Sequence, residues 1–207
     1  MEIIHLFKKG AQKFRNGHKM LKNDINISYE VIMETYNFSH PYIEETISLL
    51  FSKQKKPSQN ISIKSFKTQD IISIPTEENQ KPDNNLKPLD EFKDKTGVYI
   101  FLDKDKNPSY IGVAGEKNAK QHLRKRLEQH FNCNSGLSKN IIEIENLLNN
   151  IKIKPTNNRR ILKDLILEYV PNFLVIEVGT LEDETAVKRS LNLEKCLIAI
   201  FNSKYNK

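Results

Sequence analysis

Residues 96–131 constrain the fold more than any other stretch. Two runs rich in β-branched and aromatic residues, Thr96-Gly97-Val98-Tyr99-Ile100-Phe101-Leu102 and Pro108-Ser109-Tyr110-Ile111-Gly112, flank the polar Asp103-Lys104-Asp105-Lys106-Asn107. Such runs around a cluster of turn residues read as a strand hairpin. After a polar loop, Leu123, Leu127 and Phe131 recur at helical spacing among Arg124, Lys125 and Arg126, the pattern of a basic amphipathic helix. A turn centred on Lys104-Asp105 places Tyr99 directly opposite Tyr110, with both phenols on one sheet face. By itself that pairing reads as a packing device rather than as chemistry, since aromatic cross-strand pairs commonly stabilise sheets. His122, Arg126 and His130 form a second helical stripe one residue before the apolar one, at the rim of the buried face and within reach of the sheet. Arg124 and Lys125 read as a solvated basic face.

The segments around this centre set the domain organisation. Residues 3–22 suit a basic amphipathic helix loosened near Gly10 and Gly17. Residues 23–52 hold five acids and no Lys or Arg. There Ser28 and Ser39 are candidate N-caps for helices through Val31-Ile32-Met33 and through Ile43, Ile47 and Leu50. Two short helices joined by a turn fit a helix-turn-helix reader of DNA or a small bundle for packing or dimerisation, and the acidic second helix favours the bundle. Residues 53–92, polar and broken by Pro57, Pro75, Pro82 and Pro88, read as a linker. Ile61, Ile63 and Phe66 within it have strand character and could form an edge strand. Beyond Phe131 the pattern gives helices over 141–151 and 157–168, a strand over 173–178 and a last helix from about Glu184 to Phe201. The expected class is α+β: a small mixed, mainly antiparallel sheet of about three strands packed with helices in residues 93–207, preceded by a helical N-terminal region over 1–52.

Charge and composition narrow the function classes. The net charge is +7, and its excess sits late in the chain: residues 93–207 carry twenty Lys/Arg against fourteen Asp/Glu, whereas 1–52 carry six of each. A polyanionic partner is thus expected to meet the C-terminal part. No run of eighteen apolar residues is present and Met1–His5 lacks a signal-peptide layout, so no membrane span and a cytoplasmic location are expected. Cys133 and Cys196 have no metal-ligand spacing and read as reduced thiols. In the last helix Val187, Leu191, Glu194, Ile198 and Phe201 follow at three- and four-residue steps. A carboxylate on such a stripe needs a metal, an arginine or water to answer it, unless it lies at the surface beside Lys195.

Taken in order, Gly97-Val98-Tyr99, Tyr110-Ile111-Gly112, Leu123-x-x-Arg126-Leu127-x-x-His130, Glu194-x-x-Leu197-Ile198 and Asn206 resemble the motifs of the GIY-YIG nuclease family over roughly residues 92–207. Each motif is short, and the signal is the five in sequence. Three departures stand out: a longer loop between Gly112 and Arg126, Val113 where many members carry lysine, and Ser203 where proline is frequent. Lys117 or a loop amide would have to replace the missing lysine.

The resemblance implies a divalent-metal-dependent endonuclease that hydrolyses DNA. Tyr99 would take the proton of the attacking water, with Tyr110 as its partner or substitute. Arg126 would hold the phosphate and lend positive charge to a phenol whose ordinary pKa of about 10 makes it a poor base. His130 would orient water or phosphate, and Glu194 would bind one Mg²⁺ or Mn²⁺. Gly112, Lys117 and Asn206 fall on the substrate side, where Asn206 would contact the phosphate or fix the metal shell. One metal site per chain makes a homodimer, or two successive nicks, the route to a double-strand break. The other readings are a non-catalytic nucleic-acid-binding module on the same fold and a nuclease directed at RNA.

Overall fold

The computed structural model describes residues 62–74, 83–115, 121–150, 152–201 and 203–206. The helices expected in 1–52 and the substrate residue Lys117 lie outside the described residues.

The hairpin at the centre of the sequence forms β2 (Lys95–Leu102) and β3 (Pro108–Ala114), and β4 (Asn172–Thr180) pairs with the other side of β2. A fourth strand, β1 (Ser62–Lys67), pairs with β4, so the order is β1-β4-β2-β3 and every pairing is antiparallel. Four antiparallel strands replace the mixed sheet of about three expected from the sequence. The extra strand is the edge strand suggested by Ile63 and Phe66 within the polar stretch. Only Ile63 and Phe66 carry apolar bulk, Ile63 toward one face and Phe66 toward the other, where its ring stacks on Phe173 at 5.1 Å. Two 3₁₀ turns, Thr68–Asp70 and Lys87–Phe92, follow β1, and Leu89 and Phe92 are fully buried.

The hairpin register differs from the sequence expectation. Tyr99 faces Gly112 and Phe101 faces Tyr110, a shift of two positions, with an irregularity at Phe101/Leu102. Asp103 sets the turn. Its carboxylate accepts the N–H groups of Asp105 (2.9 Å) and Asn107 (2.8 Å), its own N–H donates to Asn107 O (2.9 Å), and Lys106 takes a left-handed φ of 63°. These bonds move the centre of the loop one residue along from Lys104-Asp105. A two-residue shift preserves the face, so both phenols still leave the same side of the sheet.

Helices cover both faces. On the phenol side lie α1 (Leu123–Phe131), α2 (Leu137–Asn149) and α3 (Arg159–Tyr169). Tyr99, Phe101, Phe173 and Val175 of the sheet pack there with Leu123, Leu127, Phe131, Ile141 and Ile166. On the opposite side α4 (Glu184–Phe201) covers Val98, Ile100, Ile111, Leu174 and Ile176. Its innermost line is Ala186, Ser190, Leu193 and Leu197, one position away from the stripe read in the sequence. Val187, Leu191, Glu194 and Ile198 flank it, half-buried. The helix can come this close because Gly179 has no side chain: a Cβ there would lie 2.7 Å from Ala186 Cβ. Among the described residues no helix is long and apolar enough to cross a membrane.

Candidate active site

Tyr99, Tyr110, Arg126, His130 and Glu194 come from β2, β3, α1 and α4, and the other four all bear on the Tyr99 phenol. Tyr99 is fully buried, and its Oη lies 2.8 Å from His130 Nε2. Arg126, Tyr110 and Glu194 act on the same phenol electrostatically, Arg126 favouring its ionised form and the other two opposing it. Burial raises the Tyr99 pKa above its ordinary value. Tyr110 adds to the rise, Arg126 opposes it and Glu194 adds again. The two phenols are not equivalent. Tyr110, half-buried, is the outer one, with its ring 6.4 Å from that of Tyr99.

His130 occupies the last turn of α1 and is 1% exposed. Three rings enclose it, with centroids at 5.2 Å (Tyr99), 5.3 Å (Tyr110) and 5.4 Å (Phe101). Burial first, then the Arg126 charge, pushes its pKa down to about 3, so the imidazole is neutral. Its Nδ1 lies 2.6 Å from Ser135 Oγ. One assignment fits these contacts: the phenol O–H donates to Nε2, and Nδ1–H donates to Ser135.

Arg126 is held ready by carbonyl oxygens. Its Nη1 donates to Gln129 Oε1 (3.0 Å), one helical turn on, and to Gln121 Oε1 (3.3 Å). His122, the first member of the polar stripe, instead caps α1 by accepting the Lys125 N–H at 3.3 Å. Arg124 pairs with Asp90 at 2.7 Å. Glu194 is oriented by the seating of α4, where Ser190 Oγ lies 3.2 Å from Thr96 Oγ1, which itself donates to Ala114 O.

Gly112 has a steric task. A Cβ there would lie 2.3 Å from Tyr99 Oη. Gly97, in the other motif, is needed for backbone approach, since its Cβ would lie 2.0 Å from Ile176 O beside an irregularity in the β2–β4 ladder. Asn206 lies on the outer edge of β3, its amide committed to the Ile111 backbone. Residues 93–207 therefore bring together five of the sequence-picked side chains, while Asn206 serves β3. Sequence reading missed Gln121, Gln129 and Ser135. Only Gln129, three residues after Arg126 on the same helix, carried a spacing signal.

Among the described residues no group of three or more His, Cys, Asp or Glu side chains forms a metal cage. A lone carboxylate still suits Mg²⁺, which keeps several waters and is bound through one or two carboxylates together with substrate phosphates. Glu194, half-buried and acting electrostatically on Tyr99, is the carboxylate nearest this description among the residues picked from the sequence. A groove of about 710 Å³, lined by Ile142, Leu147 and Pro155 among others, shares no residue with this cluster. Compared with protein-family models, curated proteins and solved structures, the chain finds no match.

Proposed function

We propose that this chain is a divalent-metal-dependent endonuclease of the GIY-YIG type, hydrolysing DNA phosphodiester bonds. The observation that carries the proposal is the gathering of Arg126, His130, Tyr110 and Glu194 about the buried Tyr99 phenol from three separate elements, α1, β3 and α4. A sheet stabilised merely by aromatic pairs needs neither a half-buried arginine nor a carboxylate beside a buried phenol.

In this reading the phosphate docks on Arg126, whose planar fork suits two phosphate oxygens. The phenol pair then receives the proton of the attacking water, with Tyr110 at the solvent side and Tyr99 linking it to His130. A buried phenol with a raised pKa does not ionise at neutral pH by itself. His130 Nε2 gives the Tyr99 proton somewhere to go as the phenol accepts another. An incoming phosphate also offsets the Arg126 charge, one of the two causes holding His130 neutral, and so raises the proton affinity of the relay. Glu194 would hold Mg²⁺ or Mn²⁺, which when bound supplies positive charge for the departing oxyanion. The excess of Lys and Arg in residues 93–207 favours approach of the polyanion.

The test is plasmid nicking with Mg²⁺, with Mn²⁺ and with EDTA. Wild type is compared with Tyr99→Phe, Tyr110→Phe, Arg126→Ala, His130→Ala and Glu194→Ala, each checked for folding. The expected result is metal-dependent nicking by wild type, lost in Tyr99→Phe, Arg126→Ala and Glu194→Ala, with Glu194→Ala still binding DNA. Equal nicking by all six proteins would refute the site, and cleavage of transcript but not plasmid would move the substrate to RNA.

A further inference from the structure

β3 is the last strand of the sheet, and an antiparallel edge strand turns the N–H and C=O of every second residue away from its ladder. Ser109 and Ile111, the neighbours of Tyr110, are the residues left facing outward, and residues 203–206 answer both. Tyr205 N–H donates to Ser109 O at 2.7 Å. Asn206 accepts the Ile111 N–H on Oδ1 (2.7 Å) and donates from Nδ2 to Ile111 O (2.7 Å), and the Ser203 hydroxyl donates to the same Oδ1. The far side of the segment is anchored in the core. The Tyr205 ring is 2% exposed, its hydroxyl donates to Glu145 Oε1 of α2 at 2.5 Å, and Lys204 pairs with the same carboxylate. Asn140 Nδ2 donates to Tyr205 O at 3.2 Å.

From this geometry we infer that Asn206 is a positioning residue: with the Tyr205 N–H it clamps β3 on either side of Tyr110 and holds that phenol against Tyr99 and His130. The inference rests on the nuclease reading of Tyr110, and it replaces the phosphate contact that the motif resemblance implies for Asn206. Asparagine suits the task because one planar amide offers an acceptor and a donor at the spacing of a residue's own N–H and C=O. Aspartate would set a carboxylate oxygen against Ile111 O, and alanine would leave both groups unanswered.

The test measures hydrogen exchange at Ile111 and the Tyr110 ring resonance by NMR in the full chain, wild type against Asn206→Ala and Asn206→Asp, alongside nicking kcat and KM with Mg²⁺. The amide of Val175, in the middle of the sheet, serves as the control for folding. Expected in Asn206→Ala are at least tenfold faster exchange at Ile111, a shifted Tyr110 resonance, unchanged Val175 and a kcat at least tenfold lower at a KM within twofold of wild type. Asn206→Asp, which keeps the acceptor, should fall between the two. Unchanged Ile111 exchange, or faster exchange with full kcat, overturns the inference. A raised KM at full kcat overturns it in favour of substrate contact. If wild type does not nick, the nuclease reading has failed separately, and an unmoved Tyr110 resonance in Asn206→Ala would then overturn the clamp.

Discussion

Replacing Gly112 by alanine tests the placement of the inner phenol with one methyl group. The new Cβ would start 2.3 Å from Tyr99 Oη, 2.4 Å from Cζ and 2.7 Å from Cε2, whereas ordinary contact begins at 3.4 Å. The ring tip must therefore retreat by about 1 Å, which is the shortfall between those distances. Moving toward His130 is closed by the 2.8 Å contact already made there, and any other direction breaks that hydrogen bond. The ring is not a flexible tip, since Phe101 packs on it at 5.9 Å and Tyr110 at 6.4 Å. Overpacking of this kind costs about 1–3 kcal/mol. For a chain of this size that corresponds to a loss of roughly 2–12 °C in Tm. A 1 Å displacement of a reacting group costs about a hundredfold in rate. Differential scanning calorimetry and the nicking assay read the two effects. Gly136→Ala is the matched control, because its Cβ would meet nothing nearer than Asn140 Oδ1 at 3.8 Å. A Gly112→Ala protein with the Tm and nicking rate of Gly136→Ala would refute the placement of Tyr99 under Gly112.

Two further expectations concern buried charge. Glu145 is 1% exposed; burial alone would raise its pKa, but hydrogen bonds from Lys204 and Tyr205 prevail and hold it below the ordinary carboxylate value. The stability it contributes is thus present above the unfolded-state pKa of about 4.3 and lost as pH falls through the lower folded value. Thermal melts should show Glu145→Gln less stable by about 1.5–3 kcal/mol at pH 7, with the gap to wild type closing in acid. Lys163 presents the opposite sign. Its amine donates to Ser73 O and Asn84 Oδ1, and burial pushes its pKa down to about 8. The unfolded chain therefore binds more protons between pH 8 and about 10.4, and wild type should gain stability there relative to Lys163→Met. A constant difference between the two proteins across that range would show that Lys163 does not titrate as its surroundings require.

How far the sequence carried the fold depended on how each residue announces itself. Leu123, Leu127 and Phe131 repeat at helical spacing and are all fully buried in α1, because periodicity reports burial directly. The hairpin was legible as two strands, but its register was not. The Asp103 side chain, by accepting two loop N–H groups, chose a turn that no alternation pattern encodes. β1 was legible as an edge strand from Ile63 and Phe66 alone, since its remaining residues have the composition of a linker. In α4 the stripe through Glu194 was one position off the buried line, because Ser190 lies fully buried against Thr96 and is not apolar. Polar residues that pack through hydroxyl contacts are invisible to hydrophobic periodicity.

The same logic explains why the cluster depends on residues without functional groups. On the face of β3 that meets α1, alternate positions run Tyr110, Gly112, Ala114, so side-chain volume falls away beside Tyr99. The missing bulk at Gly112 lets the Tyr99 ring lie flat over the neighbouring strand with its oxygen at His130. At the adjacent position of β2, a Cβ on Gly97 would lie 3.1 Å from Leu123 Cδ1, so its absence lets the start of α1 press on the sheet. Arg126 and His130 follow Leu123 by three and seven residues on that helix, and their distance from the phenol is set where α1 is seated. A bulkier residue at either glycine would thus disturb the cluster without touching a titratable group. The short motifs that flank the two tyrosines are, in physical terms, the spacing rules of the pocket.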